Sequence, residues 1–202
     1  MKRSTLATAA TLLALFSHQA LADDNWLVRV RAVKLSPADK SDPVGGSGAA
    51  DRLHVSSKTI PDIDISYFCT PNVAVELLLT VPQKHTVTLD GTGIGTFKHL
   101  PPTLLAQYHF APASQLSPYV GAGINYTLIH GVDLLGGKGG LEHSSVGLAL
   151  QAGLDYKLDK KWSINIDVKK IQIRSDVTAS GAKISAVKVD PLLVGVGVGY
   201  RF

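Results

Sequence analysis

The stretch Leu192–Phe202 alternates almost without exception, and this period of two constrains the chain more than any other feature. Leu192, Val194, Val196, Val198, Tyr200 and Phe202 share one face, while Leu193, Gly195, Gly197, Gly199 and Arg201 share the other. Successive side chains of a strand point to opposite faces of its sheet. One apolar face, one small or polar face and a final aromatic make the pattern of the closing strand of an outer-membrane barrel. On this reading the chain ends inside its structure, without a soluble tail.

The beginning of the chain agrees. Lys2 and Arg3 precede an apolar stretch from Leu6 to Phe16, then Ala20-Leu21-Ala22 and the acidic pair Asp23-Asp24. This is the layout of a secretory signal peptide over residues 1–22, cut after Ala22, which leaves one domain over 23–202. Its apolar part is too short for a membrane helix, which needs roughly 18 apolar residues or more, and no other run approaches that length. Any membrane span must therefore be built from strands. Without Lys2 and Arg3 the chain carries 18 basic against 16 acidic residues, so nucleic acid is not indicated as a partner. Cys69 is the single cysteine and cannot form an internal disulfide, although export implies an oxidising compartment.

Eight segments alternate with period two and are close to the roughly 9–11 residues of a tilted membrane strand: 26–36, 59–69, 73–83, 100–110, 118–129, 145–157, 162–173 and 188–202. The connections alternate in length. Thr70-Pro71-Asn72, Ala111 to Ser117 and Leu158 to Lys161 are short, whereas Ser36–Lys58, Lys84–His99, His130–Ser144 and Arg174–Lys183 are long and rich in Gly, Ser and charge. Short periplasmic turns opposite long external loops describe an all-β, eight-stranded antiparallel transmembrane barrel. That topology puts Trp26, Tyr67, Phe68, Tyr108, Phe110, Tyr119, Tyr156, Trp162, Tyr200 and Phe202 at the periplasmic strand ends, as an interfacial girdle. A soluble eight-stranded barrel is the alternative, and its aromatics would fill the interior instead.

A specific resemblance then emerges. Val75-Glu76-Leu77-Leu78, Pro82-Gln83-Lys84-His85, Lys98-His99-Leu100-Pro101-Pro102-Thr103, Ala106-Gln107-Tyr108, Tyr119-Val120-Gly121-Ala122-Gly123, Asn125-Tyr126-Thr127, Gln151-Ala152-Gly153-Leu154-Asp155-Tyr156 and Gly199-Tyr200-Arg201-Phe202 resemble the OmpW family of small outer-membrane barrels. The resemblance covers nearly all of the chain after the leader. It implies an eight-stranded barrel that lets small hydrophobic molecules cross the outer membrane, as AlkL-like barrels do for alkanes. The third and fourth long loops and Lys169-Lys170 depart from the family pattern, which bears on specificity rather than on fold.

The inward parity divides the lumen into two zones. Toward the periplasm lie Arg29, Arg31, Glu76, Gln107, His109, Gln151, Asp155, Asn165, Asp167 and Arg201; toward the outside lie Val33, Leu35, Leu78, Leu105, Ile129, Ile171 and Ile173. Eight strands enclose a space only about wide enough for their own side chains. The polar zone is expected to be a plug, with Arg29, Arg31 and Arg201 paired to Glu76, Asp155 and Asp167; the same network also serves simply to satisfy inward polar groups. The apolar zone above it reads as a funnel. A solute entering it meets the plug and has to leave sideways. Pro82 and Pro101-Pro102 lack ladder donors, so they mark either a lateral exit between strands three and four or merely the strand ends at the rim.

Other constellations persuade less. His54, His85, His99, His130 and His143 read as solvated loop residues without metal-ligand spacing. The glycine clusters at 91–95 and 136–140 lack a strand-then-helix context and read as flexible loop tips. A rim hydrolase or acyltransferase built on Glu142, His143 and Ser144 lacks nucleophile-to-base geometry, since adjacency in sequence does not supply it. Lys34, Lys169, Lys170 and Arg174 near the outer rim could hold lipid phosphates, which favours a structural or receptor barrel binding lipopolysaccharide or an extracellular partner. The expectation is a monomeric barrel among outer-membrane lipids and lipopolysaccharide, without cofactor, metal or enzymatic activity, passing small apolar solutes by passive diffusion.

Overall fold

The computed structural model describes residues 24–179 and 181–202; the expected leader, 1–22, lies outside them. The described residues form fifteen strands: β1 (Trp26–Ser36), β2 (Lys40–Ser41), β3 (Leu53–Val55), β4 (Lys58–Phe68), β5 (Val73–Thr80), β6 (Gln83–Leu89), β7 (Thr92–Leu100), β8 (Thr103–His109), β9 (Leu116–Leu134), β10 (Gly139–Leu141), β11 (Ser144–Lys157), β12 (Trp162–Ile171), β13 (Arg174–Ala179), β14 (Ala182–Lys188) and β15 (Leu192–Arg201). Eight of them close a cylinder, each antiparallel to its neighbours, in the order β1, β4, β5, β8, β9, β11, β12, β15. Closure runs from Leu27↔Arg201 to Ser36↔Leu192. A closed cylinder leaves no free sheet edge, which is what lets strands sit in hydrocarbon.

The wall follows the alternation. Outward apolar residues such as Val30, Ile63, Leu77, Ile124, Leu150, Ile166 and Val196 stay exposed, while their sequence neighbours are buried inside. Trp26–Tyr67, Tyr108–Phe110, Trp162–Tyr200 and Tyr200–Phe202 form ring pairs with centroids 4.8–5.2 Å apart at the periplasmic rim. Two members expected in this girdle face the lumen instead. Tyr119 and Phe68 share the parity of the interior and are buried at 1 % and 5 % exposure.

The long connections are largely sheet, not loose loops. β6 and β7 make a hairpin through Asp90-Gly91, both at positive φ, the conformation a tight two-residue hairpin turn demands. β7 continues onto the top of β9, and β10, β13, β14 and β2 extend the wall on the other side. The inward alternation of His85, Val87 and Phe97 explains this, because these residues need an interior to face. Two expected strands are also split. Strand three stops at Thr80 and resumes at Gln83 beyond Pro82, and the last strand begins at Leu192, after Pro191 separates it from β14.

Candidate functional site

The lumen is built in three levels. At the periplasmic mouth a pocket of about 510 Å³ is lined by Leu27, Phe68, His109, Lys157, Asp155 and Arg201 among others. Above it lies the polar plug, and above that a packed apolar chamber.

Arg29 organises the plug. Its guanidinium grips Asp155 with two hydrogen bonds of 3.2 and 2.7 Å and also donates to Asp64, Ser66 and Glu76 at 3.2–3.3 Å. Arg31 donates to Asn165 and Asp62 at 3.2 Å, pairs with Asp64, and lies 3.4 Å from Asp167. Lys169 reaches Asp167 at 2.7 Å and Glu76 at 3.6 Å. Neutral donors converge on carboxylate oxygens that the arginines also face: Gln107 to Glu76 at 2.7 Å, Gln151 to Asp167 at 2.7 Å, Asn165 to Asp155 at 2.8 Å, and Tyr119 to Asp167 at 3.0 Å. Seven wall strands contribute side chains. β15 contributes bare glycine: a Cβ on Gly197 would lie 2.6 Å from Arg31 Cγ. The planar fork of arginine suits this site, because it can satisfy several carboxylates at once among buried side chains.

The sequence-derived pairing therefore holds for Arg29 and Arg31, but not for Arg201. Its guanidinium stacks 4.0 Å over the Phe68 ring at the mouth, and its Nε has no hydrogen-bond partner among the described residues. Asp62, Asp64, Ser66 and Tyr119 were missed, although the parity rule reaches them, since Ile60, Asp62, Asp64, Ser66 and Phe68 all fall inward on β4. Lys169 belongs to the plug and not to the lipid-facing rim. Lys34, Lys170 and Arg174 do stand outside, the last two beside Asp190. Glu142, His143 and Ser144 are exposed, and Glu142 accepts from the Asp176 amide at 3.2 Å.

All seven residues expected to line the funnel, Val33, Leu35, Leu78, Leu105, Ile129, Ile171 and Ile173, are brought together in one apolar cluster. Leu53, Val55, Val87, Phe97, Leu134, Val177 and Val187 from the external sheet close over them. The void left among these upper residues is about 10 Å³, at or below what one water molecule requires. In this conformation the chamber is packed.

The wall is interrupted beside that chamber. β5 and β8 pair as far as Leu78↔Thr103, and the next pair of that seam is Gln83↔His99, between β6 and β7. Leu79–Pro82 and Leu100–Pro102 carry no ladder pair with each other. On the opposite side of the same segment, pairing with β4 ends at Asp62↔Thr80 and resumes only at Val55↔Val87 on β3. Pro102 O still accepts the Tyr126 amide at 3.1 Å and also Asn125 Nδ2 at 3.1 Å, and the Thr80 hydroxyl donates to Pro61 O at 3.2 Å. Leu79 and Val81 face outward at this height, with Lys84 and Lys98 just above. The interruption thus lies at the upper border of the apolar band.

Two histidines expected to be solvated sit behind it. His85 and His99 are at 0 % and 1 % exposure, with rings parallel to within 6° and centroids 4.8 Å apart. Burial lowers both below the ordinary imidazole value. His99, pressed further by neighbouring His85, His130 and Lys58, falls to about 3.

The model of the OmpW family matches residues 22–202. The chain belongs to the OmpW family. This OmpW-family barrel is 36% identical to outer membrane protein W of Escherichia coli, with 100% of both chains covered. It is 41% identical to outer-membrane protein y4mB of Sinorhizobium fredii over 88% of this chain and 80% of that one. It is also 26% identical to the dibenzothiophene metabolism operon protein PahQ of Pseudomonas aeruginosa, over 77% and 75%. Among solved structures, OprG of Pseudomonas aeruginosa superposes with a TM-score of 0.77 at 28% identity, covering 88% of this chain and 95% of that one. AlkL in lipid bilayers superposes with a TM-score of 0.72 at 25% identity, covering 92% and 93%. The OmpW-family chain is thus an outer-membrane β-barrel.

Proposed function

We propose that this barrel lets small apolar molecules cross the outer membrane by passive diffusion. They enter the apolar chamber from outside and leave sideways between β5 and β8. The observation that carries the reading is the double interruption at Leu79–Pro82 and Leu100–Pro102, flanked by Pro82, Pro101 and Pro102. Within it Val81-Pro82 lacks a ladder pair on both sides, whereas Leu79 and Thr80 still pair with β4 and Leu100 with β9. A wall segment with few ladder bonds costs least to displace, and here it adjoins the chamber. The plug argues for the sideways route, since a solute moving straight down would have to break the buried Arg29 and Arg31 networks. Transit then requires the chamber side chains to part around the solute. The relationship to a protein named for a dibenzothiophene metabolism operon favours an apolar cargo. The barrel works as a monomer among outer-membrane lipids and lipopolysaccharide, and the concentration gradient sets direction.

The decisive experiment is uptake of apolar solutes and of sugars of equal size by liposomes with and without the protein. Faster access of the apolar set alone supports the reading; no change for any solute overturns it. Pro82→Ala restores a donor and is expected to slow apolar uptake without impairing assembly. An alternative role as a structural or receptor barrel rests on exposed Lys34, Lys170 and Arg174 at the rim, which suit lipopolysaccharide phosphates.

A further inference from the structure

The stacked histidines carry a chemical requirement that the barrel wall does not meet. His85 Nδ1 lies 2.7 Å from the Ser56 carbonyl oxygen, which can only accept, so Nδ1 donates. In the neutral ring Nε2 is then a lone-pair acceptor. It is buried and finds no partner among the described residues, and neither do Nδ1 and Nε2 of His99. A neutral His99 presents one further donor and one further acceptor, whichever tautomer it adopts. Buried polar groups are normally satisfied, and an unmet one costs more than the bond itself is worth.

The surroundings narrow what can satisfy them. The Lys58 ammonium bears on His99, so a second cationic group is repelled. A carboxylate offers only lone pairs and cannot donate to His85 Nε2. A metal finds two imidazoles but, among the described residues, no third His, Cys, Asp or Glu to complete a ligand set. A hydroxyl fits: it donates to one ring and accepts from the other. Phe97 stacks on His85 at 5.7 Å, lies tilted to His99 at 5.9 Å and leads into the apolar cluster, whose packed side chains have to part to take the body of such a molecule.

We infer that His85 and His99 form a head-group subsite for hydroxylated apolar molecules, alkanols and phenols, at the inner face of the wall interruption. This deepens the lateral-exit reading and rests on it for the route, but not for the binding. The subsite holds the hydroxyl at the height of the lipid headgroups while the apolar body turns toward the gap. It would favour an alcohol over the alkane of the same length.

Two measurements on the full barrel in lipid nanodiscs and liposomes test this. The first follows the ring nitrogen resonances of His85 and His99 at pH 7 while octan-1-ol or octane is added. A saturable shift with octan-1-ol and none with octane supports the subsite; no shift with either assigns the ring nitrogens to an ordered water and overturns it. The second compares uptake of the two solutes by wild type, His85→Phe and His99→Phe. Loss of one hydrogen bond is expected to lower the octanol-to-octane ratio roughly three- to tenfold, with His99→Gln restoring part of it. An unchanged ratio in assembled variants overturns the proposal. If wild type binds octan-1-ol but transports neither solute, the transport reading fails and the subsite stands.

Discussion

Tyr119 stands opposite Gly153 on the neighbouring strand, and its ring lies over the bare backbone: a Cβ on Gly153 would be 2.3 Å from Tyr119 Cζ. That placement lets the phenol reach Asp167 and lets Arg29 lie 5.1 Å above its ring. Gly153→Ala is therefore expected to displace Tyr119 and to destabilise the barrel by about 1–3 kcal/mol, the range for overpacking. Urea unfolding from lipid vesicles measures this. A midpoint equal to wild type would mean that the ring moves at no cost.

Arg29 is the most heavily committed side chain of the plug. Arg29→Ala strips Asp155 of its paired cation and leaves Asp64 with Arg31 alone and Glu76 with Lys169 alone, and a broken buried pair typically costs about 3–5 kcal/mol. The double variant Arg29→Met with Asp155→Asn is expected to recover part of that loss, because fewer charges remain unpaired. Unfolding midpoints of the single and double variants separate the cost of stranded charge from the cost of lost packing.

Phe97 closes the chamber from the external sheet at 2 % exposure. Phe97→Ala is expected to cost about 3–5 kcal/mol and to raise the uptake of apolar solutes, since the cluster has to part for transit. A destabilised variant with unchanged uptake would place the chamber off the route.

The depressed His99 value makes a pH prediction. The fold favours the neutral ring, so the unfolded chain takes up its proton first, near the ordinary imidazole value of 6.5, and the folded chain only near pH 3. Stability from this group is complete above about pH 6.5 and is lost as pH falls toward 3. Thermal unfolding across this window should show a shallower acid loss in His99→Phe than in wild type. Parallel curves would mean that His99 is protonated as readily in the fold as outside it.

The alternation of residues 192–202, the short and long connections and the aromatic ends fixed an eight-stranded antiparallel barrel, because a strand's two faces are written at every second residue. The same parity separated the polar lumen from the apolar zone above it and named Arg29, Arg31 and Arg201 as its cations. It could not rank partners around a closed circle. Which carboxylate meets which arginine depends on the stagger between strands far apart in sequence, so Arg201 ended over Phe68 while Lys169 and Asp64 entered the plug. The histidines show the other limit. Gly, Ser and charge around them read as loop, but pairing of β6 with β7 turned His85 and His99 inward and stacked them. Periodicity along one strand determined what faces in; only the closed sheet decided what each inward group touches.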